Sequence, residues 1–251
     1  MTNPTERRLS EGRLAGKRVA ITGTNRGIGH ALACAAAQAG AAVIVHARTA
    51  AAAAAVAEDA RSVARGARIA SVAGDLRDPE LGARLAATAR EAFGGLDQLV
   101  LNAGALGPMQ RLEETDLDAF REVMEINVDA QLRLFMASLP LLREARGAVI
   151  WMTSGLGHFA LPRFGVYCAS KHAVEGLMRL AACEHGEDGL TSVAVVPGMV
   201  QTEMLRAAML GGDISEHMSP AQAAEGFVRL LAGLGPGHNG EVVDLAPYLP
   251  G

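Results

Sequence analysis

The chain has 251 residues, 50% of them hydrophobic, 20% charged and 4% aromatic, with a formal net charge of −4. That apolar content excludes a disordered chain, and a mildly acidic balance without Lys/Arg clusters excludes a basic nucleic-acid binder. Aromatic residues are too few for a base-stacking platform, and the length suffices for one full core without disulfide staples.

Residues 1–15 are polar and read as a flexible tail before the fold. Lys17 to Thr22 is a short apolar run ending at glycines, a buried strand. Ile28 to Gly40 is Ala-rich and closes on glycine, a helix with a glycine stop. Ala42–His46 is a second strand. The alanine run from Ala50 reads as helix, since alanine has the highest helix propensity and Glu58, Asp59 and Arg61 give it a polar face. The alternation repeats with strand Ile69–Ala73, helix Pro79–Phe93, strand Leu99–Leu101 and a long helix over about Asp116–Leu142. It continues with strand Ala148–Thr153, helix Gly165–His185, strand Ser192–Val196, helix Pro220–Leu234 and strand Glu241–Leu245.

The strands are continuous apolar runs rather than alternating ones, the pattern of a parallel sheet covered on both faces. The expected fold class is α/β: a single-domain Rossmann-type doubly wound sheet of about seven strands over residues 16–251, with ligands at the carboxyl ends of the strands.

After the first strand comes Thr22-Gly23-Thr24-Asn25-Arg26-Gly27-Ile28-Gly29. Glycines between a strand and a helix permit a tight turn and close backbone approach, and the helix N-terminus offers free N–H groups to a pyrophosphate. Dinucleotide folds that take NAD usually place an acid at the end of the second strand for the ribose hydroxyls. Here that region reads His46-Ala47-Arg48-Thr49, with no acid. Arg48 can pair with a 2′-phosphate as a fork, and Arg26 is a second cation nearby, so NADP(H) is expected over NAD(H).

The fifth strand runs into Thr153-Ser154, and Tyr167 and Lys171 follow at i and i+4 on a helix. That spacing puts both on one face. A tyrosine titrates near pH 10, and a neighbouring ammonium favours the phenolate. A serine hydroxyl can hold a substrate oxygen. The chemistry is proton transfer to or from a carbonyl or alcohol oxygen.

These motifs resemble the short-chain dehydrogenase/reductase family over about residues 15–245. The Thr22–Gly29 loop resembles its cofactor loop, and Asn102-Ala103-Gly104 its motif after the fourth strand. Pro197-Gly198-Met199-Val200-Gln201-Thr202 resembles its segment that meets the nicotinamide carboxamide. The resemblance implies Tyr167 as general acid and base, and Lys171 as its pKa-lowering partner and ribose ligand. It further implies Ser154 orienting the substrate oxygen, Asn127 holding a relay water, and Asp75 with Leu76 meeting adenine. Leu101 replaces a second asparagine common in the family, and the C-terminus lacks the usual Asp-Gly-Gly close.

The implied activity is NADP(H)-dependent interconversion of a carbonyl and a secondary alcohol. A regulatory cofactor-binding protein without turnover and an NAD-dependent alcohol dehydrogenase stand as alternatives. Leu156, His158, Phe159, Leu161, Met199, Met204 and Met209 would line an apolar substrate pocket, with Gly211-Gly212 as a lid hinge. Three cysteines (Cys34, Cys168, Cys183) without CxxC spacing suit a reducing compartment. No metal motif, secretory leader or membrane-length apolar run is present, so a cytoplasmic protein without nucleic-acid or membrane partners is expected. The family implies a homodimer or homotetramer.

Overall fold

The structure is a computed structural model and describes residues 12–250. Most of the expected tail lies outside the described residues. Its end does not behave as a tail: Leu14 is fully buried in the core, and its N–H donates to the carbonyl of Ala39 at 2.9 Å.

The strands are β1 (Arg18–Ile21), β2 (Ala42–Ala47), β3 (Ile69–Ala73), β4 (Gln98–Leu101), β5 (Ala148–Met152), β6 (Thr191–Val196) and β7 (Val242–Asp244). They form one seven-stranded sheet in the order β3-β2-β1-β4-β5-β6-β7, every pairing parallel. The helices are α1 (Gly27–Gln38), α2 (Ala50–Val63), α3 (Leu81–Phe93), α4 (Leu117–Met124), α5 (Ala130–Ala145), α6 (Gly165–His185), α7 (Glu203–Ala208) and α8 (Pro220–Gly233).

The continuous apolar strands follow from a core on each face. Val19, Ile21, Val43, Val45, Val100, Ile150, Val193 and Val195 point into one layer, with α1, α2 and α8. Ala20, Ile44, Leu99, Leu101, Val149, Trp151 and Ala194 point into the other, with α3, α5 and α6. Successive side chains leave a strand on opposite faces, so a strand covered twice has no polar position to spare.

Two elements differ from the sequence expectation. The long helix is broken by a π turn over Glu125–Asp129, which separates α4 from α5. The segment after β6, to which the sequence reading assigned no element, contains α7, capped by the Thr202 hydroxyl accepting the N–H of Leu205 at 3.1 Å.

Candidate active site

The strand order reverses between β1 and β4, and a cleft of about 1080 Å³ opens there at the carboxyl ends of the strands. Its wall carries Gly23, Asn25, Arg26, Gly27, Ile28 and Gly29 from the first turn. Arg48, Asp75, Leu76, Asn102, Ala103, Gly104, Tyr167, Lys171 and Thr202 complete the expected residues on it.

Each glycine of the first turn has a steric reason. Gly23 and Gly27 have φ of +69° and +58°, the left-handed region that glycine adopts freely. A Cβ on Gly27 would press on Thr202 Cγ2 at 3.2 Å, and one on Gly29 would overlap the Gly23 carbonyl and the Asn102 amide. The Asn102 amide donates to the carbonyls of Thr22 at 2.8 Å and Gly23 at 3.3 Å, and the N–H of Ala103 donates to Thr22 Oγ1 at 3.0 Å. The β4 turn thus holds the β1 turn, leaving a bare backbone cradle ahead of the α1 N-terminus. That cradle fits a dinucleotide pyrophosphate.

The charged groups on this wall are more heavily paired than the sequence suggests. Arg26 forms an ion pair with Glu203 of α7. Asp75 accepts from the Arg77 backbone and guanidinium at 2.8–2.9 Å, which holds its carboxyl well below the usual range. Arg48 is exposed at the end of β2. Arg77 is a cleft cation that sequence reading missed, although its place two residues after Asp75 was visible.

Tyr167 and Lys171 face the same cleft one turn apart on α6, with Lys171 Nζ 5.4 Å from the Tyr167 ring centroid. Ser154 lies close enough to the Tyr167 phenol to lower its pKa. Lys171 is 5% exposed and donates to the carbonyl of Met152 at 2.8 Å; burial pushes its ammonium down to about 8. Burial also pushes the Tyr167 phenol up to about 12, against a smaller downward pull from Ser154. Desolvation, the largest influence on this phenol, disfavours the phenolate.

Asn127, Ser154, Pro197, Gly198 and Val200 stand outside the cleft wall. Asn127 sits in the π turn, 1% exposed, and ties α5 to the β4 turn and α6. Its Oδ1 accepts the N–H of Ala105 at 2.7 Å, and its Nδ2 donates to the Ala105 carbonyl at 2.8 Å and Ser170 Oγ at 2.9 Å. Val200 is buried and bridges to Met218. Of the expected pocket side chains, Met204 lies on the cleft wall and Leu156 is buried, while Phe159, Leu161, Met199 and Met209 are exposed and not part of that wall.

The family model for short chain dehydrogenase matches residues 17–210. The chain belongs to the short-chain dehydrogenase/reductase family. It is an oxidoreductase of alcohol and carbonyl groups that works with NAD(P). Among relatives, it is 34% identical to 2,5-dichloro-2,5-cyclohexadiene-1,4-diol dehydrogenase of Sphingobium indicum, over 78% of this chain and 77% of that one. It is 31% identical to the NADPH-dependent pterin aldehyde reductase of Arabidopsis thaliana, over 90% and 92%. A structure from Shigella flexneri 2a, described as a short chain dehydrogenase complexed with NADP, superposes with a TM-score of 0.86 at 28% identity, covering 94% of this chain and 100% of that one. Among the described residues, no group of three or more His, Cys, Asp or Glu is placed to hold a metal, and no helix is long and apolar enough to cross a membrane.

Proposed function

We propose that this short-chain dehydrogenase/reductase interconverts a ketone and a secondary alcohol of apolar body, and that it takes NADP(H) in preference to NAD(H). The observation that carries the reading is the placement of Tyr167 and Lys171 in the cleft that also holds the glycine cradle, with Ser154 close enough to the phenol to lower its pKa. When bound, the nicotinamide supplies or accepts the hydride. Gly23, Gly27 and Gly29 seat the pyrophosphate, with Asn25, Ile28 and Thr202 beside it. Asp75, Leu76 and the Asn102–Gly104 turn border the adenine half, and Pro197, Gly198 and Val200 set the course of the chain toward Thr202.

Tyr167 is the proton donor in reduction. Its buried phenol stays protonated at neutral pH, so it meets a carbonyl oxygen ready to donate. Ser154 donates to the same oxygen and fixes it against the phenol. Lys171 stays largely charged below about pH 8 and binds ribose hydroxyls. Asn127 holds the backbone of the π turn toward Lys171, where the family's relay water sits. Arg48 supports NADP(H), because it ends β2 where an NAD-binding chain carries an acid. Arg26 contributes a second cation once released from Glu203. Phe159, Leu161, Met199 and Met209 support an apolar substrate. The same reading takes residues 16–251, with Leu14 packed into their core, as one cytoplasmic domain working as a homo-oligomer, and the three free cysteines fit a reducing compartment.

The test is a fluorescence titration with NADPH and NADH, paired with turnover. NADPH is expected to bind at least about tenfold tighter. Arg48→Asp should remove that preference while leaving NADH within about twofold; equal losses for both cofactors overturn the phosphate assignment. Tyr167→Phe should cut turnover by about 10²–10⁴-fold with NADPH affinity kept. Turnover close to wild type in that variant removes Tyr167 from the acid role.

A further inference from the structure

Glu175 is a buried carboxylate that the reaction outlined above does not use. It lies on α6 four residues beyond Lys171 and eight beyond Tyr167, so all three share one broad face of the helix. It is 2% exposed. A carboxylate so placed is costly unless its oxygens are satisfied, and here three donors meet it. Thr153 Oγ1 donates to Oε1 at 3.0 Å, Arg179 Nη2 donates to Oε2 at 3.1 Å, and His158 Nδ1 lies 3.1 Å from the carboxylate.

Two of these partners bracket one short turn. Thr153 directly precedes Ser154, and His158 closes the turn Gly155–Gly157 that Ser154 opens. Within it, the Ser154 hydroxyl accepts the N–H of Leu156 at 3.3 Å, and the Ser154 carbonyl accepts the N–H of Gly157 at 2.8 Å. The carboxylate also lies flush against the turn backbone. A Cβ on Gly157 would overlap Glu175 Oε1 and crowd Thr153 Oγ1 at 2.7 Å, so glycine is what lets the helix approach this closely.

We propose that Glu175 is a positioning residue: by clamping both ends of the 153–158 turn to α6, it fixes the Ser154 hydroxyl against the Tyr167 phenol. The inference rests on the assignment of Ser154 and Tyr167 under Proposed function. Tyr167 and the clamp belong to the same rigid helix, so the clamp converts helix geometry into the distance between the two hydroxyls. A bound carbonyl oxygen then meets both donors at once, and small misplacements of such groups are costly in rate. None of the partners of Glu175 belongs to the glycine cradle, so cofactor affinity is separable from the clamp.

The test uses the full chain saturated with NADPH. Glu175→Gln keeps the volume but turns an N–H₂ toward donors; Thr153→Val removes one clamp bond with less disturbance. In both variants, amide exchange over residues 154–158 should speed up at least about tenfold, with α1 and β4 unchanged and NADPH affinity within twofold. With cyclohexanone as probe, Glu175→Gln should lower kcat at least about tenfold. In a Ser154→Ala background the same change should cost less than about twofold, because the clamp then has nothing to position. Unchanged exchange in both variants, or an equal kcat loss with and without Ser154, overturns the clamp. Full turnover by Ser154→Ala alone overturns the catalytic reading instead, which keeps the two failures apart. Should Glu175→Gln not fold, Thr153→Val carries both arms.

Discussion

His46 shows how one side chain can hold two loops of a cofactor cradle. It is 2% exposed, its Nδ1 accepts the N–H of Gly23 at 3.2 Å, and its Nε2 lies 3.0 Å from the carbonyl of Gly74. Only the neutral ring with its proton on Nε2 satisfies both bonds. Protonating Nδ1 would set two donors face to face. Burial lowers the His46 pKa below 6.5; Arg84 adds to this, while the Gly74 carbonyl and Asp75 oppose it. The folded chain therefore holds fewer protons than the unfolded chain just below pH 6.5, and folding stability falls as pH drops through that window. One group contributes at most about 1.4 kcal/mol per pH unit, or about 3–6 °C in Tm for a chain of this size. His46→Asn keeps an acceptor for Gly23 and cannot titrate. Thermal melts from pH 7.5 to 5.5 should show a shallower pH slope in His46→Asn than in the wild type. Parallel slopes would mean the ring accommodates a proton without loss.

At the scale of the element, the β1–α1 turn is the clearest case of sequence dictating structure. Gly29 has no room for a methyl group between the Gly23 carbonyl and the Asn102 amide. Overpacking of this kind costs about 1–3 kcal/mol. Gly29→Ala should therefore lower Tm by several degrees and weaken NADPH at least about tenfold; a titration matching wild type would show that the cradle yields without cost. This turn was legible because glycine spacing, strand and helix agree in one short stretch. The strands were legible for the same reason: two covered faces leave only apolar positions, and Ile69–Ala73 and Gly165–His185 have the boundaries the sequence suggests. The π turn was not. Apolar spacing over 116–142 reads as one helix, and the only local sign of the extra residue is Asn127, whose partners Ala105 and Ser170 are distant in sequence. Helix α7 escaped because six residues are too few for a periodic signal, although its Thr202 cap could be read. Pairings such as Arg26 with Glu203, and the Glu175 clamp, join residues from separate elements and become visible only once the sheet order is known.

For the whole molecule, the sheet divides the core into two layers, and the outer side of one layer is incompletely covered. On α5, Leu132, Met136 and Leu139 recur at helical spacing, and on α6 Leu177 and Leu180 do the same. Leu132, Leu139 and Leu177 are half-buried against the core, whereas Met136 and Leu180 are 62% and 56% exposed. Single exposed apolar residues need no explanation; the homo-oligomer proposed above would cover this stripe on two long helices of one layer. A stable interface buries about 800 Å² per partner, within reach of two helices of 16 and 21 residues. Because α6 also carries Tyr167, Lys171 and Glu175, association there would brace the helix on which the active site is built. Light scattering at about 50 μM should give a multiple of the chain mass, and melting temperature should rise with protein concentration. Changing Met136 and Leu180 together to Glu should yield the monomer mass and remove the concentration dependence. A monomeric wild type, or an unchanged mass in the double variant, would mean that these helices face solvent and that α6 is held by its own core contacts alone.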